Sequence, residues 1–380
     1  MSLRIALLTY ATKPRGSVIH TLELAQALAE LGHHPHVFAL DKDGRGFHRS
    51  VTFAATAVPA SPCMGGTDQL VQQRIGEFVQ FLRQHLQQHP QGYDLYHAQD
   101  CLSANALAQL RAEGYIPHFV RTVHHIEAFT SPYLRDCQAK SIAQPDRCLC
   151  VSDLWQTVLQ KEYGISAHRV INGVSDRFSP QTSGAEPALA QAYGLTGQPL
   201  YLTVGGIEPR KNSIALLQAF CQVRAHMPDA QLVIAGGATL FDYRDYRQEF
   251  MALAQPLPEG ALVLPGVVPD ADLPALYRLA DAFIFPSVQE GWALVVLEAI
   301  AAGLPVVTSN QPPFTEFLSN ETALLVEPEV SAIAIALQQV LDPAITQRLV
   351  TNGPPLIQRY RWRTSAEMHL TLYHQLVTPP

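Results

Sequence analysis

Charge is scarce in this chain: 16% of its 380 residues are Asp, Glu, Lys or Arg, and the formal net charge is −7. That balance argues against general nucleic-acid binding, which needs cations to displace the counterions around phosphate. The basic residues do not gather on a helix face. The apolar stripe Val71, Ile75, Phe78, Val79, Leu82 and Leu86 has only Arg74 and Arg83 beside it, so it reads as a core-facing helix and membrane contact is not indicated. No apolar run approaches the ~18 residues that cross a bilayer. The opening Met1-Ser-Leu-Arg-Ile-Ala-Leu-Leu-Thr-Tyr10 is too short for a signal peptide and lacks a small-residue cleavage site, so it reads as a buried strand and a cytoplasmic protein is expected. The six cysteines, at 63, 101, 137, 148, 150 and 221, contain no Cys-x-x-Cys pair and are expected as reduced thiols, Cys148 and Cys150 facing one side of a strand. Pro14–Ile19 lacks the Gly-x-Gly-x-x-Gly turn that a nicotinamide oxidoreductase would carry after its first strand.

What is present is a large core. Hydrophobic residues make up 47% of the chain, and its length suits two domains. Strand and helix patterns alternate throughout, which predicts parallel sheets covered by helices on both faces. In the first half, strands are predicted at Arg4–Leu8, Pro35–Leu40, Asp94–His97, Pro117–Val123 and Arg147–Val151, with a helix over Ser17–Leu31 stopped by Gly32. In the second half they are predicted at Leu200–Val204, Gln231–Ala235, Leu262–Leu264, Ala282–Phe285 and Pro305–Thr308. The stretch Asn172–Gly184 is rich in turn formers and is read as a hinge. Val330–Leu341 reads as a helix, Asn352-Gly-Pro-Pro as a break, and Leu356–Val377 as a helical tail. Residues 1–170 hold 15 basic against 14 acidic residues, and 12 of the 15 histidines. No repeat or low-complexity segment is present.

The most informative stretch is Asp281-Ala-Phe-Ile-Phe-Pro-Ser-Val-Gln-Glu290-Gly-Trp-Ala-Leu-Val-Val-Leu-Glu298-Ala-Ile-Ala-Ala-Gly-Leu-Pro-Val-Val-Thr308. It reads as a buried strand, a turn carrying one carboxylate, a helix over Ala293–Ala302 carrying a second, and another buried strand. Glu290 then falls at the carboxyl end of a strand, where open α/β sheets bind their ligands. A second strand-to-helix junction, Gly205-Gly-Ile-Glu-Pro-Arg210-Lys211-Asn-Ser, places two cations on the same kind of edge, suited to gripping phosphate.

With Phe285-Pro-Ser before Glu290, Gly291 after it, Ala299 after Glu298, and Gly303-Leu-Pro-Val-Val to close, the run resembles the Glu-x7-Glu signature of the family-4 retaining glycosyltransferases. The resemblance implies an α/β GT-B fold of two Rossmann-like domains facing a central cleft. Residues 1–172 would form the acceptor-side domain and 173–355 the nucleotide-sugar donor domain, with a C-terminal helix, 356–380, packing back on the first. It implies that Glu290 binds donor-sugar hydroxyls, that backbone N–H groups of Gly291, Trp292, Ala293 and Leu294 lie near the phosphates, and that Glu298 meets the ribose. Where the family has Phe-Gly-Leu, this chain has Trp292-Ala293-Leu294. Its usual donor-site Arg falls on Gly206, so the phosphate contacts are assigned to Arg210 and Lys211. Gly16, where the family has Gly-Gly and this chain Arg15-Gly16, is expected to let a phosphate or sugar approach the backbone. His124 matches a Thr-x-His segment whose His lies near the transferred sugar, with His125 as runner-up. His20 and the strand-end His97 are weaker matches.

The resemblance further implies metal-independent retaining transfer, by attack on the face from which the leaving group departs, from a nucleotide-sugar to an acceptor hydroxyl. UDP-glucose is the expected donor, with GDP-mannose close behind. No metal and no cofactor beyond the donor substrate are expected. Gly236–Tyr246 follows a strand and is expected to help frame the donor. A nucleotide-sugar epimerase and a non-catalytic nucleotide-sugar binding protein are the alternatives on the same scaffold.

Overall fold

The computed structural model describes residues 2–237 and 243–377. The chain forms two compact units, Met1–Gly173 with Tyr360–Pro380, and Val174–Arg359. The first unit runs β1 (Arg4–Thr9), α1 (Gly16–Glu30), β2 (His34–Asp41), β3 (Ala54–Pro59), α2 (Thr67–Gln88), β4 (Leu95–Ala98), α3 (Cys101–Ala112), β5 (Phe119–Val123), α4 (Pro132–Ala143), β6 (Arg147–Cys150), α5 (Asp153–Tyr163) and β7 (His168–Arg169). Its seven strands are parallel, in the order β3-β2-β1-β4-β5-β6-β7. Local chemistry sets several boundaries. Ser131 and Ser152 accept N–H hydrogen bonds from Leu134 and Trp155 to cap α4 and α5, and Gly164, at φ 67°, ends α5.

The second unit runs α6 (Glu186–Tyr193), β8 (Leu200–Val204), α7 (Ser213–Arg224), β9 (Gln231–Ala235), α8 (Arg244–Ala254), β10 (Leu262–Gly266), α9 (Leu273–Leu279), β11 (Ala282–Phe285), α10 (Leu294–Ala301), β12 (Val306–Ser309), α11 (Phe314–Phe317), β13 (Leu324–Val326), α12 (Val330–Gln339) and α13 (Pro343–Arg359). Its six parallel strands are ordered β10-β9-β8-β11-β12-β13. The central strands β9 and β11 are buried along their whole length. That burial on both faces is why they read as unbroken apolar runs. The chain returns to the first unit with α14 (Trp362–Val377), which packs on α1. A Cβ at Gly173 would lie 2.3 Å from the backbone nitrogen of Trp362, so only glycine lets the chain pass there.

The break expected at Asn352-Gly-Pro-Pro is absent. α13 runs through it to Arg359, with Pro354 and Pro355 inside the helix, and the tail helix starts at Trp362 rather than Leu356. An interior proline costs ~3 kcal/mol. Packing offsets it here: α13 lies on α10, and a Cβ at Gly353 would come 2.8 Å from Ile300 Cγ2. The short strands β3, β7 and β13 also escape the sequence pattern. They hold six, two and three residues and are mostly half-buried, so they show neither a continuous apolar run nor clear alternation.

Candidate active site

In an open parallel sheet, a crevice forms where the strand order reverses. In the second unit that point lies between β8 and β11. The loops leaving these two strands carry Arg210 and Lys211 on one side and Glu290 on the other. A 3-10 turn, Pro209–Lys211, follows β8 and ends at Asn212, whose φ of 56° is left-handed. The Asn212 side chain donates to the Pro328 carbonyl at 2.7 Å. The Arg210 carbonyl accepts from Val288 N–H at 2.8 Å, which ties the turn to the loop after β11; Ser287 Oγ lies 2.7 Å from the same carbonyl, but its one proton goes to Glu290.

Three donors meet on one oxygen. Glu290 Oε1 accepts from Lys211 Nζ at 2.5 Å, Ser287 Oγ at 2.8 Å and Arg210 Nη1 at 3.1 Å. Glu208 Oε2 accepts from Arg210 Nε at 2.8 Å. Lys211 Nζ also stands 4.3 Å from the centre of the Phe285 ring, a cation–π contact. Burial pushes the Glu290 carboxyl up, but the Lys211 and Arg210 charges and the hydrogen bonds from Lys211 and Ser287 outweigh it and hold the group below its usual range. Burial likewise pulls Lys211 down, and Glu290 only partly restores it. The sequence had singled out Arg210, Lys211 and Glu290. It left Glu208 and Ser287 unassigned, although both lie inside the quoted segments.

Past Glu290 the chain runs through Gly291 and the buried Trp292, which stacks on Phe317 at 4.5 Å. The helix predicted from Ala293 starts one residue later, at Leu294, because Ala293 itself is left-handed, at φ 73° and ψ 71°. Glycine would adopt this conformation without the steric cost of a Cβ. A left-handed non-glycine residue costs roughly 1–2 kcal/mol, against ~0.5–1 kcal/mol for the extra chain entropy of glycine. Ala293→Gly is therefore expected to stabilise the protein by up to ~1 kcal/mol, read by calorimetry of the second unit; a lower melting temperature would show that the alanine methyl contributes more than the strain removes. Among the described residues no side chain caps α10 at its start. Glu298, on the second turn of α10, is buried, and its Oε2 accepts from Tyr277 OH at 2.9 Å.

In the first unit the strand order reverses between β1 and β4. Gly16 is the first residue of α1, exposed, and a Cβ there would meet nothing within 4 Å, so no packing inside the unit requires glycine. His124 follows β5. Its Nε2 meets Gln99 Oε1 at 2.9 Å, and Gln99 Nε2 lies 3.3 Å from both His97 ring nitrogens. That amide orientation puts the proton of a neutral His124 on Nε2 and its lone pair on Nδ1. Burial, with help from His97, Arg121 and His369, pulls His124 down to about 3. It is therefore neutral near pH 7, able to hydrogen-bond but not to act as a cationic acid.

His97 does not border an open site. It is fully buried, its Nδ1 2.6 Å from Tyr373 OH and its Nε2 2.9 Å from Thr122 Oγ1. His20 is also buried, held by Asn172 Oδ1 at 2.8 Å and packed edge-on to His124 at 4.5 Å and Trp362 at 5.3 Å. His125 turns instead to Glu127, at 3.3 Å, and Trp155.

Two Asp-x-Asp sequences stand near strand ends, and their carboxylates are partly engaged. Asp41 accepts from Gly46 N–H at 3.0 Å, Asp43 pairs with Lys13 at 2.8 Å, and Asp270 of Asp270-Ala-Asp272 is gripped by Arg177. Among the described residues no three His, Cys, Asp or Glu gather as a metal site needs, and no helix is long and apolar enough to cross a membrane. Cys148 and Cys150 are buried free thiols, raised by burial to about 11 and about 12. The Gly236–Tyr246 segment lies partly outside the described residues.

Residues 187–353 match the family model described as Glycosyl transferases group 1, and residues 14–177 match Glycosyltransferase Family 4. The fold superposes on sucrose-phosphate synthase from Thermosynechococcus elongatus with a TM-score of 0.80 at 24% identity, over 98% of each chain. The architecture is thus GT-B. Over 286 residues the chain is 29% identical to O-antigen chain mannosyltransferase B of Escherichia coli, covering 69% of this chain and 72% of that one. Over 370 residues it is 27% identical to the phosphatidyl-myo-inositol mannosyltransferase of Mycolicibacterium smegmatis, covering 95% and 90%. The chain belongs to the family-4 glycosyltransferases, and it is an enzyme that transfers a sugar from a nucleotide-sugar donor.

Proposed function

We propose that this enzyme transfers a mannosyl group, with retention and without a divalent metal, from a nucleotide-diphosphate sugar to an acceptor hydroxyl. The observation that carries the reading is the meeting of Lys211, Arg210 and Ser287 on one Glu290 oxygen, at the switch point of the second sheet. Transfer breaks the bond from the anomeric carbon to the phosphate oxygen and forms one to the acceptor oxygen on the same face. The acceptor proton passes to the departing phosphate. The negative charge that grows on the leaving diphosphate needs fixed positive partners. Lys211, Arg210 and the start of α10 supply them without a bound cation. Glu290 takes donor-sugar hydroxyls, and Glu298, oriented by Tyr277, takes the ribose. Neutral His124 offers the sugar a hydrogen-bond partner. No cofactor beyond the donor is required by this scheme.

The choice of mannose over glucose rests on the mannosyltransferase names of the two relatives. A thermal-shift screen of GDP-mannose, UDP-glucose and ADP-glucose, without and then with Mg²⁺, tests it. A donor at ~100 times its dissociation constant stabilises the fold by ~2.7 kcal/mol. GDP-mannose is expected to give the largest shift with no metal added. A shift with UDP-glucose alone would overturn the mannosyl assignment, and a shift that needs Mg²⁺ would overturn the metal-free one.

A further inference from the structure

Glu208 is a buried carboxylate, its side chain 4% exposed, while the Arg210 it holds is 36% exposed. Taking a carboxylate out of water is costly unless a cation and hydrogen bonds replace the solvent. Here Arg210 Nε supplies them, at 2.8 Å. The Arg210 backbone is already pinned through its carbonyl by Val288 N–H, so what remains to be set is the direction of the guanidinium. Two of its contacts are to carboxylates, Glu208 at Nε and Glu290 at Nη1, 3.1 Å away. Glu290 alone is a weak guide, because the same oxygen also receives Lys211 and Ser287 at shorter distances.

We propose that Glu208 is a positioning residue: it aims the Arg210 guanidinium across the β8–β11 switch point so that a diphosphate meets it already oriented. The inference rests on the reading of Arg210 as a phosphate contact. A planar fork is useful for gripping a diphosphate only if its plane is held. Glu208, Arg210, Glu290 and Lys211 together carry no net formal charge, so the two cations are kept in place before the donor arrives without mutual repulsion dominating the loop.

The test is a double-mutant cycle on affinity for GDP or UDP, whichever the wild type binds more tightly, measured by titration calorimetry. Arg210→Ala is expected to weaken binding about 30-fold and Glu208→Ala about 10-fold, the range for charge-assisted hydrogen bonds. Glu208→Gln, whose amide oxygen still accepts from Nε, is expected to recover to within about threefold of wild type. Because Glu208 acts through Arg210, the double variant Glu208→Ala/Arg210→Ala should bind no worse than Arg210→Ala. Wild-type affinity in Glu208→Ala, or a Glu208→Ala loss that adds in full to that of Arg210→Ala, would overturn the positioning role. Wild-type affinity in Arg210→Ala is a different failure: it removes the phosphate reading of Arg210, and the positioning role with it.

Discussion

Glu290→Gln and Lys211→Ala are each expected to lower turnover by at least ~100-fold, the scale for loss of one charge-stabilising group at a reacting centre. The glutamine variant keeps the shape of the side chain and removes its charge. The fold should survive the change, for a reason visible at Lys211. Burial already pulls that amine down and Glu290 pushes it back up, so loss of the carboxylate moves Lys211 further down and lessens the cost of its buried charge. Donor affinity of Glu290→Gln should then strengthen as the pH is lowered and the amine becomes more fully charged. Since Glu290 and Lys211 are joined at 2.5 Å, the double variant should lose far less than the product of the two single losses. Steady-state rates at saturating donor decide the matter; near-wild-type turnover in both single variants would remove the site assignment.

The second large effect is acid instability of the first unit. His20, His97, His124 and His369 are packed together there, with ring centres of neighbouring pairs 4.5 to 5.8 Å apart. Burial lowers all four, His124 to about 3 and His369 to about 4, His20 and His97 well below the ordinary value. His36, beside His85 and His89 on the far side of the sheet, falls to about 4 for the same reason. Between the unfolded value of 6.5 and these native values the unfolded chain binds protons that the folded one refuses. Stability is therefore full above pH 6.5 and is lost as the pH falls towards 4. Each such histidine contributes ~1.4 kcal/mol per pH unit within that window, so the four clustered rings together contribute roughly 5.5 kcal/mol per pH unit where all four differ. Hydrogen exchange at pH 4.5 and pH 7.5 should show the first unit's amides losing protection ahead of the second's. The second unit's single histidine, His226, is exposed. Equal protection of the first unit at both pH values would refute the expectation.

Much of this architecture was readable because it is local. The apolar runs that became β8, β9 and β11 are buried on both faces, so composition alone marks them. The Glu290 segment is recognisable because strand, turn and helix follow one another within thirty residues. Short or half-buried strands such as β3, β7 and β13 carry no such pattern. The proline pair in α13 gave the wrong sign: both prolines are exposed, and the helix runs on with Leu349, Gly353 and Leu356 buried on its other face.

Sequence alone determined the alternation of strand and helix, the family resemblance, and the identity of Arg210, Lys211, Glu290 and Glu298 as residues worth watching. It did so because periodicity and motif spacing are properties of neighbouring residues. Tertiary structure decided what those residues touch. Lys211 and Glu290 are 79 positions apart and share a hydrogen bond, and His97 meets Tyr373 across 276 positions. It also separated an enclosed histidine, His97, from His124 on the strand-end loop, and it turned Glu208 from an unremarked carboxylate into the partner of Arg210. Those outcomes depend on which strands become neighbours in a sheet and on how much water is excluded between them, and neither is encoded in any short stretch of chain.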